Sequence, residues 1–301
     1  MGLFGLGKKE KKEENVIQQD LSQKEQPGSV FLMYLFMKES CKMPEKDFMT
    51  EVMKRHLGDV DCFCHDGKIA GFAPKKYKVE FKDGSMPSQL MIMDCIRADN
   101  FQMDEITKSQ MWDCPESDEI LSECKYYVVA TDMLAGGMEY KDRADMLMDY
   151  MEALVEMYPT CEAVLFQTSG KMFTRDKIVN HQIPRERRFL YFAVNVRFFN
   201  IEGTDDMMVD SLGMSTLYLP DLQYHFHGMD PNWVVNHAYN MLSYIYDNDC
   251  PIESGETIDG VENGELNRNV RWKCQYEDSL IQPSRLVIDV CMGELAAGNR
   301  G

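Results

Sequence analysis

The longest uninterrupted apolar run in the chain, Val30 to Met37, has the length of a β-strand. It falls far short of the ~18–20 residues that a membrane-spanning helix needs. Because no polar residue alternates within it, the run predicts a strand buried on both faces, which requires a packed layer on each side of its sheet. Helical patterns supply candidates for those layers. From Glu139 onward, Tyr140, Leu147, Met151, Leu154 and Tyr158 recur at helical spacing until Pro159 stops them. Asp230 with Pro231 predicts an N-cap and first helical position, leading through Trp233, Val234, Ala238, Met241, Leu242 and Ile245. A third helix is predicted after Pro44, carrying Phe48, Val52, Met53 and Leu57 to a stop at Gly58, and a fourth over 101–112.

Strand signals are interleaved with these helices. Asp66-Gly67 and Asp83-Gly84 read as hairpin turns, since Asp-Gly supplies the positive φ that a tight hairpin demands. The first would join 60–64 to 68–72, the second 77–82 to 89–95. Further strands are predicted at 126–130, 163–167, 189–200, 270–276 and 286–290, the last two pairing antiparallel. The sum is an α+β protein with mixed, largely antiparallel sheets and packed helices, in two similar-sized α/β-sandwich halves. Residues 1–27 form a polar N-terminal arm, 28–160 the first half and 161–301 an acidic second half, an arrangement compatible with one continuous domain.

Charge narrows the choice of partner. The chain carries 32 Lys+Arg against 50 Asp+Glu, a net −18, and residues 201–301 alone hold five basic and seventeen acidic residues, or −12. An acidic surface repels phosphate backbones and anionic lipid. The expectation is therefore no nucleic acid and no membrane, and a basic protein as partner, unless the excess acid serves solubility alone. The short cluster Leu3, Phe4 and Leu6 ahead of Lys8–Lys12 would give only weak lipid contact. Ten irregularly spaced Cys, several inside apolar runs (Cys95, Cys274, Cys291), with no export signal ahead of them, predict reduced thiols in a cytoplasmic protein. The 24 Met read as core filler.

Motifs of known chemistry fail one by one. Thr168-Ser169-Gly170-Lys171 lacks the earlier glycine of a phosphate loop, and Met172 stands where a magnesium-binding hydroxyl belongs. Gly136-Gly137 sits between a strand and a helix but is flanked by Asp132 and Glu139, whose charge opposes phosphate. Strand alternation would put Cys62 and Cys64 on one face of their strand and His225 and His227 likewise on one face of theirs, a conceivable four-ligand metal site but a weak candidate, because the spacing is not that of a zinc knuckle. No nucleophile elbow and no His-Glu-x-x-His helix occur, so no catalytic residue and no cofactor is assigned. The remaining polar cluster is Asp132 at a strand end with Glu139, Tyr140 and Arg143 at the start of the next helix, where open sheets place ligands. An Asp132–Arg143 bridge that merely fixes the crossover is the plainer reading.

The segment Tyr127-Val128-Val129-Ala130-Thr131-Asp132-Met133, then Glu139–Arg143, Tyr158-Pro159 and Ser169-Gly170-Lys171, resembles the bacterial family catalogued as domain of unknown function 4261. So do Ser211-Leu212-Gly213-Met214, Leu219-Pro220-Asp221-Leu222, the helix from Asp230 and Ser254-Gly255-Glu256-Thr257-Ile258, over about residues 28–292. The resemblance implies an intracellular bacterial protein and transfers no activity. It adds Asp221 as a binding candidate, although Tyr218 stands where a small residue is common in the family. The functional expectation is a non-catalytic protein-binding or regulatory module with an acidic face, of the kind an immunity protein uses against a basic toxin. The alternative is an enzyme acting on a small substrate at an Asp132/Arg143 crevice.

Overall fold

The protein is described by a computed structural model over residues 30–82 and 84–298; the expected arm at 1–27 and Asp83 of the second hairpin turn lie outside the described residues. The first sheet is built from β1 (Leu32–Met37), β2 (Val60–His65), β3 (Ile69–Pro74), β6 (Gln89–Met93), β7 (Ile96–Arg97), β8 (Tyr126–Met133), β9 (Ala163–Phe166) and β10 (Lys171–Thr174), with β4 (Lys78–Phe81) and β5 (Gly84–Pro87) forming a separate hairpin. Its order is β10-β9-β1-β8-β6-β3-β2, and β7 adds to β8. Helices α1 (Lys46–Leu57) and α4 (Tyr140–Met157) cover one face, while α2 (Glu105–Ser109) and α3 (Ser117–Glu123) lie in the segment that packs on the other. After α5 (Arg175–Val179) and α6 (Arg188–Ala193) comes the second sheet: β11 (Asn195–Asn200), β12 (Met207–Leu212), β13 (Asp221–Phe226), β14 (Thr257–Glu262), β15 (Glu265–Asp278) and β16 (Leu286–Cys291), with α7 (Pro231–Asn248) between β13 and β14. Its order is β11-β12-β13-β16-β15-β14, antiparallel except for the parallel pair β13–β16.

β1 fulfils the expectation of two-sided burial. Met33, Leu35 and Met37 join the core beneath α1 and α4, and the alternate residues Tyr34 and Phe36 pack with Phe101 and Tyr127 in a second cluster. The two long helices begin where their caps are: Glu139 accepts from the N–H groups of Lys141 and Asp142, and Asp230 from that of Asn232. One hydrophobic cluster runs from Phe31 through α4 and α7 to Met292, so the two sheets share a single core.

Four sequence expectations are corrected. Gln89–Met93 does not pair with β4; its buried Leu90 and Ile92 draw it into the main sheet between β3 and β8, and β4 takes β5 instead. Residues 188–193 are helical, because Phe189 and Phe192, three apart, both bury while Arg188 reaches Asp149 and Glu152 on α4; the strand begins only at Asn195. The helix over 101–112 shrinks to α2, since Asp104 caps it at Thr107 and Gln110 leaves to bond the edge of β11. There the Gln110 side chain accepts from the N–H of Phe198 and donates to its carbonyl, covering an edge strand that would otherwise be open. The sheets also part later than residue 160, for β9 and β10 complete the first sheet beside β1.

α4 is the pillar between the layers. Its Leu154 is fully buried, and Leu154→Ala should cost about 2–5 kcal/mol in urea unfolding through lost contacts and the cavity left behind. On its polar edge Glu152 is gripped by His56, His181 and Arg188. Burial alone would raise its pKa, but the hydrogen bonds from His56 and Arg188 prevail and lower it to about 2. The bond to Glu152 raises His56 above its ordinary value of 6.5. A depressed carboxylate stabilises above its unfolded pKa and loses that as pH falls; a raised imidazole stabilises below its unfolded pKa and loses that as pH rises through the folded value. Their joint contribution should therefore be largest between 4.5 and 6.5. Melting temperatures across pH should show Glu152→Gln falling furthest below the wild type in that window and converging with it toward pH 2.

Candidate functional site

The polar cluster at the head of α4 is an internal joint. Arg143 donates from Nε to Oδ2 of Asp132 at 2.9 Å and from Nη2 to Oδ1 at 3.2 Å, with the two side chains 5% and 1% exposed. Its third nitrogen donates to the carbonyl of Thr216 in the second half, and the guanidinium lies 5.9 Å from the ring centroid of Tyr218. Tyr140 donates to the carbonyl of Tyr246 at 2.7 Å, and Lys141 to that of Asp247 at 3.0 Å, tying the start of α4 to the end of α7. Glu139 caps α4. The Tyr218 hydroxyl rests where a Cβ at Gly136 would stand, so any larger residue there would push the Tyr218 side chain aside. Lys171 is likewise used internally, donating to the carbonyls of Tyr191 and Val194 and pairing with Asp113 at 3.3 Å.

The cysteine and histidine candidates for a metal site are not brought together. A bulge between Cys62 and Cys64 breaks the alternation that would align them, and both lie on β2 of the first sheet. His225 is on β13 of the second sheet and His227 just beyond its end; both face Asp206, at 3.8 and 3.7 Å. Among the described residues no group of three or more His, Cys, Asp or Glu is placed to hold a metal ion. All ten Cys are free thiols.

Asp221 opens onto a larger feature. The backbone register sets Arg197, Asp210, Gln223, Asp289 and Gln275 in one row across the second sheet, on the face away from α7. Asp210 accepts from Arg197 at 2.8 and 2.6 Å and from Arg285 at 2.7 Å. Asp221 accepts from the Ser211 hydroxyl at 2.8 Å and from the Met214 N–H at 3.3 Å, with Arg285 Nε 3.3 Å away. Full burial pushes its pKa up against the opposing pull of Arg285 and those hydrogen bonds. Gln223 donates to both Glu277 and Asp289, at 3.1 and 3.0 Å, and accepts from the N–H of Leu280 at 2.7 Å. Arg197 also donates to Gln282, and Arg285 to Ile281 and Pro283, so the row pins the loop that covers it.

Above this floor, between the two halves, lies a cleft of about 910 Å³. The first half supplies Val30, Asp104, Ile106 and the turn at Gln167–Gly170; the second supplies Tyr218–Pro220, Asp249, Cys250, Tyr276 and Gln282–Leu286, with Arg197 and Arg285 beneath. Tyr218, Asp249 and Cys250 hold positive φ values of 60°, 55° and 43°, so backbone strain converges on one wall. The Cys250 sulfur is 3.2 Å from the Tyr276 hydroxyl, which donates to the Ile252 carbonyl at 3.0 Å. Burial raises the pKa of both groups, which keeps the thiol protonated. Apart from Asp221, sequence reasoning missed this floor. A lone charge inside each apolar strand, as with Asp210 after Met208-Val209 and Asp289 between Ile288 and Val290, was the available signal.

The fold and cleft define an α+β protein of two sheets that share one core and enclose a preformed pocket. Residues 210–291 match the family model described as Domain of unknown function (DUF4261), which bears out the resemblance over that segment. The matched residues include Asp210, Asp221, Gln223, Glu277, Arg285 and Asp289, most of the buried polar groups on that face. No curated protein and no solved structure matches the chain.

If the Asp132–Arg143 pair is a joint, Arg143→Met should cost about 3–5 kcal/mol by leaving a buried carboxylate unpaired. The double variant Asp132→Leu/Arg143→Met should cost less than Arg143→Met alone, read from urea midpoints.

Proposed function

We propose that this is a non-catalytic cytoplasmic binding module that takes a basic, partly apolar segment of a partner protein into the cleft between its sheets. The observation that carries the reading is the composition of that cleft: apolar walls from Ile106, Leu219, Pro220 and Leu286, exposed carboxylates of Asp104 and Asp249 at its edge, and floor arginines already matched by Asp210 and Asp221. Such a site attracts positive charge at its mouth and desolvates apolar groups inside, which is how interfaces divide steering from affinity. Its walls are held by the hydrogen bonds that join the halves, so little ordering is needed on binding. Ten free thiols support a reducing compartment. No helix among the described residues is long and apolar enough to cross a membrane.

The acidic surface supports this reading in reduced form. Of the seventeen acids in 201–301, four are buried, Asp210, Asp221, Glu277 and Asp289, so the charge facing solvent is smaller than the count suggests. The alternative, an enzyme working at Asp132 and Arg143, draws no comparable support, because both oxygens of Asp132 accept from Arg143.

The immobilised full chain, exposed to lysate of its own cell, should retain a basic protein whose capture weakens progressively up to about 0.5 M salt, where the Debye length has fallen to roughly 4 Å. Leu286→Asp and Asp249→Asn, both at the cleft, should each weaken that capture at least several-fold. Equal capture by all three proteins, or none by the wild type, rejects the proposal.

A further inference from the structure

Three sulfurs from two segments of the first half meet beside the start of β8. Met37 and Arg97 both stand opposite Tyr126, one on each side of that strand, so the chain leaving β1 and the chain entering β7 come close there. Cys41, in the irregular segment between β1 and α1, donates its S–H to Sδ of Met37 at 3.2 Å. Its thiol is also hydrogen-bonded to that of Cys95, which lies between β6 and β7. Met37 is fully buried, while both thiols are half-buried and within reach of a small ion. Two neighbours point to a ligand. The hydroxyl of Tyr158, the residue that ends α4, is buried and has no hydrogen-bond partner among the described residues, a state that native proteins rarely leave unexplained. It faces the Cys41 and Cys95 thiols and Asp94. Asp94, whose Oδ1 accepts from the Cys95 N–H at 2.8 Å, sets a carboxylate beside the sulfurs, which attracts a cation and repels an anion.

We propose that Met37, Cys41 and Cys95 form a binding site for one soft monovalent cation, copper(I), with both cysteines bound as thiolates and the Tyr158 hydroxyl donating to one of them. Two metal–sulfur bonds replace two S–H bonds, the two protons pass to solvent, and no electron is transferred. Thiolate and thioether sulfur together select copper(I), whereas structural zinc takes four ligands from Cys, His and carboxylate. A thiolate is a far stronger acceptor than a thiol, so the metal gives the Tyr158 hydroxyl the partner it lacks. A disulfide between Cys41 and Cys95 would use neither Met37 nor Tyr158. Sulfurs held by one three-coordinate metal at about 2.3 Å stand about 4 Å apart, so the Met37–Cys41 contact opens by under about 1 Å, in a segment with no helix or strand to resist it. None of these residues lines the cleft, and the site stands or falls independently of the role proposed there.

Anaerobic titration of the full chain with copper(I), in competition with bathocuproine disulfonate, should leave one copper per chain. X-ray absorption at the copper edge should show a first shell of sulfur only. Cys41→Ser and Cys95→Ser should each weaken retention at least several-fold, and so should Met37→Leu, which keeps the volume of the side chain. Cys62→Ser/Cys64→Ser, at the neighbouring cysteine pair of β2, should leave it unchanged. Tyr158→Phe separates binding from packing. Its urea midpoint without copper should equal or exceed that of the wild type, because the hydroxyl has no bond to lose, yet its copper(I) affinity should fall about tenfold. Retention well under one copper per chain overturns the proposal, as does retention that survives Cys41→Ser/Cys95→Ser or a first shell of nitrogen and oxygen. Recovery of Cys41 and Cys95 as a disulfide from cells alkylated at lysis makes the pair a redox couple and overturns it as well.

Discussion

One guanidinium holds the architecture together. Arg143 pairs bidentately with Asp132 at the strand-to-helix crossover of the first sheet, and its remaining nitrogen crosses to the Thr216 carbonyl of the second. A charge this deeply buried is tolerated only when every donor is matched, and the match here comes from both halves at once. The halves are consequently fixed in mutual position. Tyr140 and Lys141, one turn earlier on the same helix, repeat the tie to the end of α7. The cleft between the sheets inherits its shape from these joints.

The second sheet shows a different use of buried charge. Its face toward α7 is apolar, with Leu222, Tyr224, Ile288 and Val290 in the shared core. Its other face carries Arg197, Asp210, Asp221, Gln223 and Asp289, where a solvent-facing sheet would carry polar residues exposed. The loop through Gln282 and Pro283 covers this face and receives its spare donors, so the polar row is sealed rather than wet. The cost of sealing Arg197 and Arg285 is offset by Asp210 and Asp221 beside them, while Gln223 donates to the two further buried carboxylates, Glu277 and Asp289. A ligand bound there, as proposed, would meet shape and apolar surface first. Charge acts at the rim.

The titratable groups around the cleft fit the binding role proposed for it. Burial raises the pKa of Cys250, of Tyr276 and of Asp221, which moves the thiol and phenol away from their nucleophilic forms and leaves the carboxyl a weaker anion. His237, the most enclosed imidazole in the second half, is held between the Tyr224 hydroxyl and the Asp259 carbonyl, and burial lowers its pKa. Each of these titratable groups is occupied in holding the fold.

The sequence by itself determined the elements whose signal is local: β1 from an unbroken apolar run, α4 and α7 from helical periodicity between visible caps, and the β2–β3 turn from Asp66-Gly67. It placed Asp132 beside Arg143 for the same reason, since eleven residues spanning a strand end and a first helical turn are short-range geometry. Where two periods compete over a few residues, local pattern fails. Phe189 to Phe192 fits either alternation or a helical turn, and only the anchorage of Arg188 on α4 selects the helix. The parallel pairing of β13 with β16 joins segments more than sixty residues apart, and it alone brings Gln223 beside Asp289. The cleft likewise gathers walls from Val30 to Leu286. Tertiary structure decided these because burial, pairing and charge matching depend on which surfaces meet, and no stretch of chain carries that information alone.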